Sequence, residues 1–322
     1  MKGSIIADMK KAVKLFFAEM SLIAVIFCTA GCGWGKNRTY TFVWMTDTQY
    51  YCESAPDIYM TMTRWISEHI EDRNINFVFH TGDVVNQTGD ALQWQRADEA
   101  MTYLDGTVPY SILAGNHDLT NSGNPYENFL TYFGKNRMDA KGIKGNTVWY
   151  YHDGEASAQI IDAGRQDYLV LALGVWPDTD MITWADTILK EHTEIPAILT
   201  THDYMSVDGM RSDTGDKLFE EIVRKNPNVH LVLCGHNHDA QCRQDDLDDN
   251  NDGIKDRTVY QLMADYQATA SGGNGFMRLL TIDERNKKLT VTTYSPFLNQ
   301  YNCYSAKYPG KDHFDIDISD WF

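Results

Sequence analysis

The chain has 322 residues, 43% of them hydrophobic and 12% aromatic, which is enough to bury a sizeable core and too apolar for a disordered chain. Acidic residues outnumber basic ones 45 to 28, for a net charge of −17. Such a surface repels polyanions at long range and excludes non-specific nucleic-acid binding, although a polyanion could still approach where bound metal ions supply local positive charge.

At the N-terminus, Lys10, Lys11 and Lys14 precede an apolar run over residues 15–30, interrupted only by Glu19. A basic flank followed by an apolar stretch has the pattern of an export signal. The run ends in Thr29-Ala30-Gly31-Cys32. Small residues before a cysteine resemble a bacterial lipoprotein processing site, with Thr29 where leucine is usual. The expectation is a signal peptide over 1–31, lipidation of Cys32, a short linker over 32–38, one folded domain over 39–300 and a C-terminal tail over 301–322 that packs on it. The protein is then exported to the periplasm or cell surface and held at the membrane only through its lipid, with secretion as the alternative.

Within the domain, residues 40–45 are aromatic and β-branched and predict a strand that ends in Thr46-Asp47. Residues 56–72 carry Ile58, Met62, Trp65, Ile66, His69 and Ile70 at helical spacing. A strand over 76–80 ends in Thr81-Gly82-Asp83, a helix covers 91–104, and a strand over 108–113 ends in Gly115-Asn116-His117-Asp118. Residues 121–162 are rich in Gly, Asn and Tyr and read as loops with a small helix. The grammar then returns: a strand over 167–173, a helix over 180–191, a strand over 197–201 ending at His202-Asp203, a helix over 216–224, and a strand over 229–233 ending at Gly235-His236-Asn237-His238. Three antiparallel strands follow over 258–264, 276–283 and 288–294. Alternating strands and helices without internal repeats predict one α/β domain.

Five polar clusters thus sit at the ends of five predicted strands, where open α/β sheets collect ligands. Asp47, Asp83, Asn116, His202, His236 and His238 offer carboxylate, amide and imidazole donors, a mixed N/O set that suits Zn, Mn or Fe and disfavours Cu(I). Five short loops converging on one crevice can supply the roughly seven or eight donors that two metal ions about 3.5–4 Å apart require.

Taken together, Gly82-Asp83, Gly115-Asn116-His117-Asp118, His202 and Gly235-His236-Asn237-His238 resemble, in order, the motifs of the calcineurin-like metallophosphoesterases. The resemblance covers roughly residues 40–294. It implies a four-layer α/β/β/α sandwich and a dinuclear centre, with Asp47, Gln49, Asp83 and His238 at the first metal. Asp83, Asn116, His202 and His236 take the second, and Asp83 bridges. It also implies that His117 is a non-ligand histidine acting at the leaving oxygen, with Asp118 as the carboxylate that orients it. One position departs from the family pattern: Gln49 stands where Asp-x-His is usual, and an amide oxygen is a weaker, harder ligand than imidazole.

Other residues invite a role. Asp248, Asn250, Asp252, Gly253 and Asp256 place oxygen donors at alternating positions around a glycine, as in half of a calcium loop. Val259 stands where an EF-hand needs its glutamate, so calcium is weighed there against a solvated acidic hairpin. Tyr50 and Tyr204 follow ligand clusters and Asn86 follows Asp83, which makes them candidates to line the substrate entrance. His80 and His230 read as core histidines, and Trp65, Trp94 and Trp184 as helix core. Cys52, Cys234, Cys242 and Cys303 allow three pairings or free thiols.

The resulting expectation is an extracytoplasmic hydrolase that cleaves a phosphate ester, a diester by preference, through a hydroxide bridging two metal ions. The alternative is a non-catalytic, metal-binding surface lipoprotein on the same scaffold. A metal hydrolase acting on a non-phosphate ester or amide would need an HxHxDH or HExxH motif, and neither is present.

Overall fold

The computed structural model describes residues 38–121, 123–141, 147–304 and 309–322. The proposed export segment and Cys32 lie outside them. The described residues form two mixed sheets with helices packed on their outer faces, the α/β/β/α sandwich that the sequence implied.

In chain order the strands are β1 (Thr39–Met45), β2 (Ile75–His80), β3 (Tyr110–Ile112), β4 (Thr147–Tyr151), β5 (Ala156–Ala163), β6 (Gln166–Leu173) and β7 (Ala197–Thr200). They continue with β8 (Val229–Cys234), β9 (Ala240–Leu247), β10 (Arg257–Ala264), β11 (Met277–Asp283), β12 (Lys288–Ser295), β13 (Gln300–Tyr301) and β14 (His313–Asp317). One sheet runs β13-β12-β11-β1-β2-β3, with β14 added on β12; the other runs β4-β5-β6-β7-β8-β10-β9. Strands β1, β2 and β3 are parallel, as are β6, β7, β8 and β10. Each parallel set therefore delivers its C-terminal loops to one edge.

Between the sheets lies an aromatic core. Phe42 meets Phe79, Phe77 and Tyr168 edge-on at centroid distances of 5.8, 6.5 and 5.5 Å. Pairs of this geometry contribute about 0.5–1.5 kcal/mol each beyond the area they bury. Tyr40 and Tyr168 join their hydroxyls at 2.6 Å across the interface. On the outer face of the first sheet pack α1 (Gln49–Ser54), α2 (Pro56–Glu68), α3 (Ala91–Met101) and α4 (Glu127–Phe133), followed in chain by α5 (Lys135–Lys141). On the second sheet pack α6 (Thr179–Glu191) and α7 (Asp213–Leu218), the latter continued by a π turn over Phe219–Val223. Asp90 and Asp178 cap α3 and α6 by accepting from the backbone N–H of Leu92 and Met181.

Several expectations are corrected. The helix expected over 56–72 is broken only at His69, whose ring bonds the Trp65 carbonyl at 2.8 Å and stacks on the Trp65 indole, and it resumes over Ile70–Arg73. The segment 121–162 is not a loop region: it holds α4, α5, β4 and most of β5. Strand β5 is Ala-rich, with little β-propensity of its own, whereas β4 is β-branched and aromatic. Strand β9 was not anticipated either; it is an edge strand that exposes Cys242, Gln244 and Asp246 in alternation. Finally, β10 is not part of a meander with β11 and β12. It belongs to the other sheet and runs parallel to β8. Cys52, Cys234, Cys242 and Cys303 are free thiols.

Candidate metal centre

The loops after β1, β2, β3, β7 and β8 meet at one point. Asp47, Asp83 and His202 are buried, and each offers a ligand atom within 4.8 Å of the other two. From His202 Nε2, Asn116 Oδ1 is 3.0 Å away, His236 Nδ1 3.2 Å and Asp83 Oδ1 3.3 Å. The other nitrogen of His202 donates to the Thr81 carbonyl at 2.9 Å, which fixes the ring with Nε2 aimed at the cluster.

Backbone geometry makes this convergence possible. Asp47, Asp83 and His236 all adopt the left-handed region, at φ 48°, 50° and 71°. Each such non-glycine residue costs on the order of 1–3 kcal/mol, and such residues concentrate at functional sites. Glycine is required at two neighbours for a different reason. A Cβ at Gly115 would strike the Asp83 carboxylate, and one at Gly235 would strike that of Asp47.

Gln49 lies at the start of α1, fully buried. Its Nε2 donates to Asp83 Oδ2 at 3.1 Å, while its Oε1 is buried without a hydrogen-bond partner. An orphaned buried carbonyl costs about 1–3 kcal/mol, and a cation is the partner it lacks. His238 stands at the mouth: its side chain is 51% exposed, and its Nε2 lies 3.8 Å from Asp265 Oδ2.

Asp265 was missed by sequence reasoning. It directly follows β10, so it obeys the same strand-end rule as the others, and it is fully buried. Gln267 supports it with a backbone N–H at 2.8 Å and a side-chain N–H at 3.0 Å.

His117 is 38% exposed at its side chain. One ring nitrogen donates to the Asn86 carbonyl at 2.9 Å, and Nε2 is 4.0 Å from Asp83 Oδ2. Its own backbone N–H donates to Asp83 Oδ1 at 2.9 Å. The expectation that Asp118 orients this ring is corrected. The Asp118 carboxylate is buried and accepts the backbone N–H groups of Gly115, Val84 and Val85 at 2.8, 3.1 and 3.0 Å. It fastens the two ligand-bearing turns together, and Asn86 orients His117.

Of the entrance candidates, Tyr50 is half-buried and Asn86 Nδ2 donates to Glu53. Tyr204 is a core residue, fully buried with its hydroxyl on Gln261 Oε1 at 3.1 Å. In the acidic loop, Asp248, Asp252 and Asp256 accept backbone N–H groups of their own turn, and Asn250 Oδ1 does the same. Among the described residues those carboxylates do not converge as Asp47, Asp83 and His202 do, which favours the hairpin over a calcium site. His80 is buried, and burial then the nearby His202 hold its pKa down at about 3, so it is a neutral core histidine.

The electrostatics describe a site built for cations. Burial raises the Asp47 carboxyl well above its usual range, with Asp265 and Asp83 adding to the rise. Burial likewise lifts Asp265 to about 6. Burial opposes the charge of His202, yet Asp83 and Asp47 outweigh it and raise that pKa to about 10. Crowded buried carboxylates, imidazole nitrogens aimed inward and an orphaned amide oxygen together fit a pair of divalent ions.

A pH dependence follows. The raised Asp265 binds its proton more tightly folded than unfolded, so its contribution to stability is complete below about 3.8 and is lost as pH rises to about 6. Bound metal removes that loss, and it must displace the proton on His202 to do so. The gap in Tm between metal-loaded and metal-free protein should therefore widen from pH 4 to pH 6, by several degrees at saturating metal. A gap that narrows over that range in calorimetry would refute this assignment.

A family model described as calcineurin-like phosphoesterase matches residues 40–240. The Bacillus subtilis (strain 168) protein YvnB, described as uncharacterized, is 44% identical over 282 residues, which is 87% of this chain and 22% of that protein. The chain thus spans about a fifth of the length of that relative. Among solved structures, the purple acid phosphatase PPD1 from yellow lupin (Lupinus luteus) seeds superimposes with a TM-score of 0.58 at 16% identity, covering 88% of this chain and 54% of that one. GAP50, the anchor in the inner membrane complex of Plasmodium, gives 0.54 at 13% identity, covering 87% and 89%. At these identities the likeness is one of fold.

Proposed function

The chain belongs to the calcineurin-like phosphoesterase family, and on that premise we propose that it hydrolyses a phosphate ester, a diester by preference, outside the cytoplasm at a centre of two Mn, Fe or Zn ions. The observation that carries this is the convergence of Asp47, Asp83 and His202, with Asn116, His236 and Gln49 around them and a non-ligand His117 beside them. Asp83 would be shared by the two ions, since Gln49 bonds one of its carboxylate oxygens and His202 lies next to the other. His238 and Asp265 complete the first metal's side at the mouth.

Held by these residues, two cations would supply an activated water and neutralise the phosphoryl oxygens. His117 does the rest of the proton work. Asn86 takes the hydrogen of one ring nitrogen, so Nε2 is left to carry a proton to the leaving oxygen. Preference for a diester is supported by the sequence, in which no Arg or Lys directly flanks Asp47, Asp83, Asn116, His202, His236 or His238. A dianionic monoester would call for such a grip. The extracytoplasmic location is supported by Lys10, Lys11 and Lys14 before an apolar run that ends at Cys32.

The test is turnover of bis(4-nitrophenyl) phosphate and 4-nitrophenyl phosphate with Mn, Fe or Zn added, alongside metal analysis. Metal-dependent turnover with about two ions per chain is expected, the diester being faster. No metal-dependent turnover of either ester would end this reading. Metal content near zero would also end the non-catalytic metal-binding alternative.

A further inference from the structure

Trp176 is 56% exposed, unusual for a residue of its size in a folded domain. It follows β6, and the preceding Val175 N–H donates to the Ala114 carbonyl at 2.9 Å, which seats it against the loop of Asn116 and His117. Its backbone is in the left-handed region at φ 53°, a conformation that costs on the order of 1–3 kcal/mol for a bulky side chain. The indole Nε1–H donates to Asp203 Oδ2 at 3.3 Å. Asp203 is mostly buried and next in chain to His202. The nearby Lys217 turns its Nζ onto the Pro177 carbonyl at 3.1 Å, and no ring–ring or cation–ring contact to this indole is found among the described residues. The ring is therefore held at the rim of the metal centre, strained and uncovered.

The surroundings decide what would cover it. A carboxylate accepting the indole N–H adds electron density to the ring, and an electron-rich indole face attracts cations. Asp203 supplies negative charge at one edge, Asp178 follows two residues on, and Glu53 bonds Asn86, whose carbonyl holds His117. We propose that Trp176 and Asp203 form a subsite for an ammonium group on the alcohol half of the ester, so that the substrates are phosphate esters of cationic amino alcohols. This rests on the phosphoesterase reading and names the substrate class for it.

The experiment is isothermal calorimetry of metal-loaded full-length protein with phosphocholine and with 3,3-dimethylbutyl phosphate, which has the same shape without the charge. Wild type is expected to bind phosphocholine about tenfold more tightly. Trp176→Ala should abolish that preference, Trp176→Phe should keep part of it, and Asp203→Asn should weaken it severalfold. Equal affinities in wild type, or a preference that Trp176→Ala retains, would overturn the proposal. So would a Trp176-dependent preference for phenylphosphonate over both, which would make the occupant a neutral aromatic group. Metal-dependent turnover of the chromogenic esters is scored separately, so the subsite can fail while the phosphoesterase reading stands.

Discussion

His117→Ala is expected to lower kcat by roughly 10²- to 10⁴-fold while the metal content per chain stays at the wild-type value. The ring is half-open to the crevice, bonded on one side to a backbone carbonyl, and 4.0 Å from the nearest carboxylate oxygen of Asp83. Nothing about that position requires a metal. Its loss should matter most for poor leaving groups, because a 4-nitrophenolate departs without help and an alkoxide does not. A series of diesters with leaving alcohols of rising pKa would show the wild-type and variant rates diverging. Parallel lines, or metal loss in the variant, would assign His117 to structure instead.

Asp118→Ala is expected to act mainly on stability. Three buried backbone N–H groups lose their acceptor at once, each costing about 1–3 kcal/mol when orphaned. Allowing for relaxation, a loss of about 4 kcal/mol and a fall in Tm of roughly 10 °C are anticipated. Asp118→Asn keeps one carbonyl oxygen for these donors and should cost less. A variant that melts within 2 °C of wild type yet loses turnover would restore the view that this carboxylate acts through His117.

These two residues show how far the sequence could be read. Asn116, His117 and Asp118 were visible as a strand-end cluster, since an apolar run followed by Gly and polar side chains has few other uses. Which way each side chain points within a tight turn was not visible. Successive residues in such a turn face different directions, and here the third one turns back to hold the turn itself. Tyr204 illustrates the same limit: two residues past His202, it faces the core and bonds Gln261. Asp265 was legible in principle. It stands at the end of a predicted strand, and it was passed over because that strand was paired with β11 and β12 instead of β8. Partner choice among strands is a long-range matter that local pattern does not encode. The Ala-rich β5 and the largely polar β9 were missed for the complementary reason, since their strand character comes from neighbours.

The left-handed backbone at Asp47, Asp83 and His236 carries one more consequence. At these positions durability and utility pull in opposite directions. Glycine would relax each of the three turns, and at Asp47 or Asp83 it would also remove a charge from the interior. Random variants sorted by heat resistance in the absence of metal would therefore drift toward a sturdier, inert chain, discarding these side chains early. Sorting that also demands turnover would retain them and push improvement elsewhere, into the aromatic seam between the sheets and the caps of the outer helices.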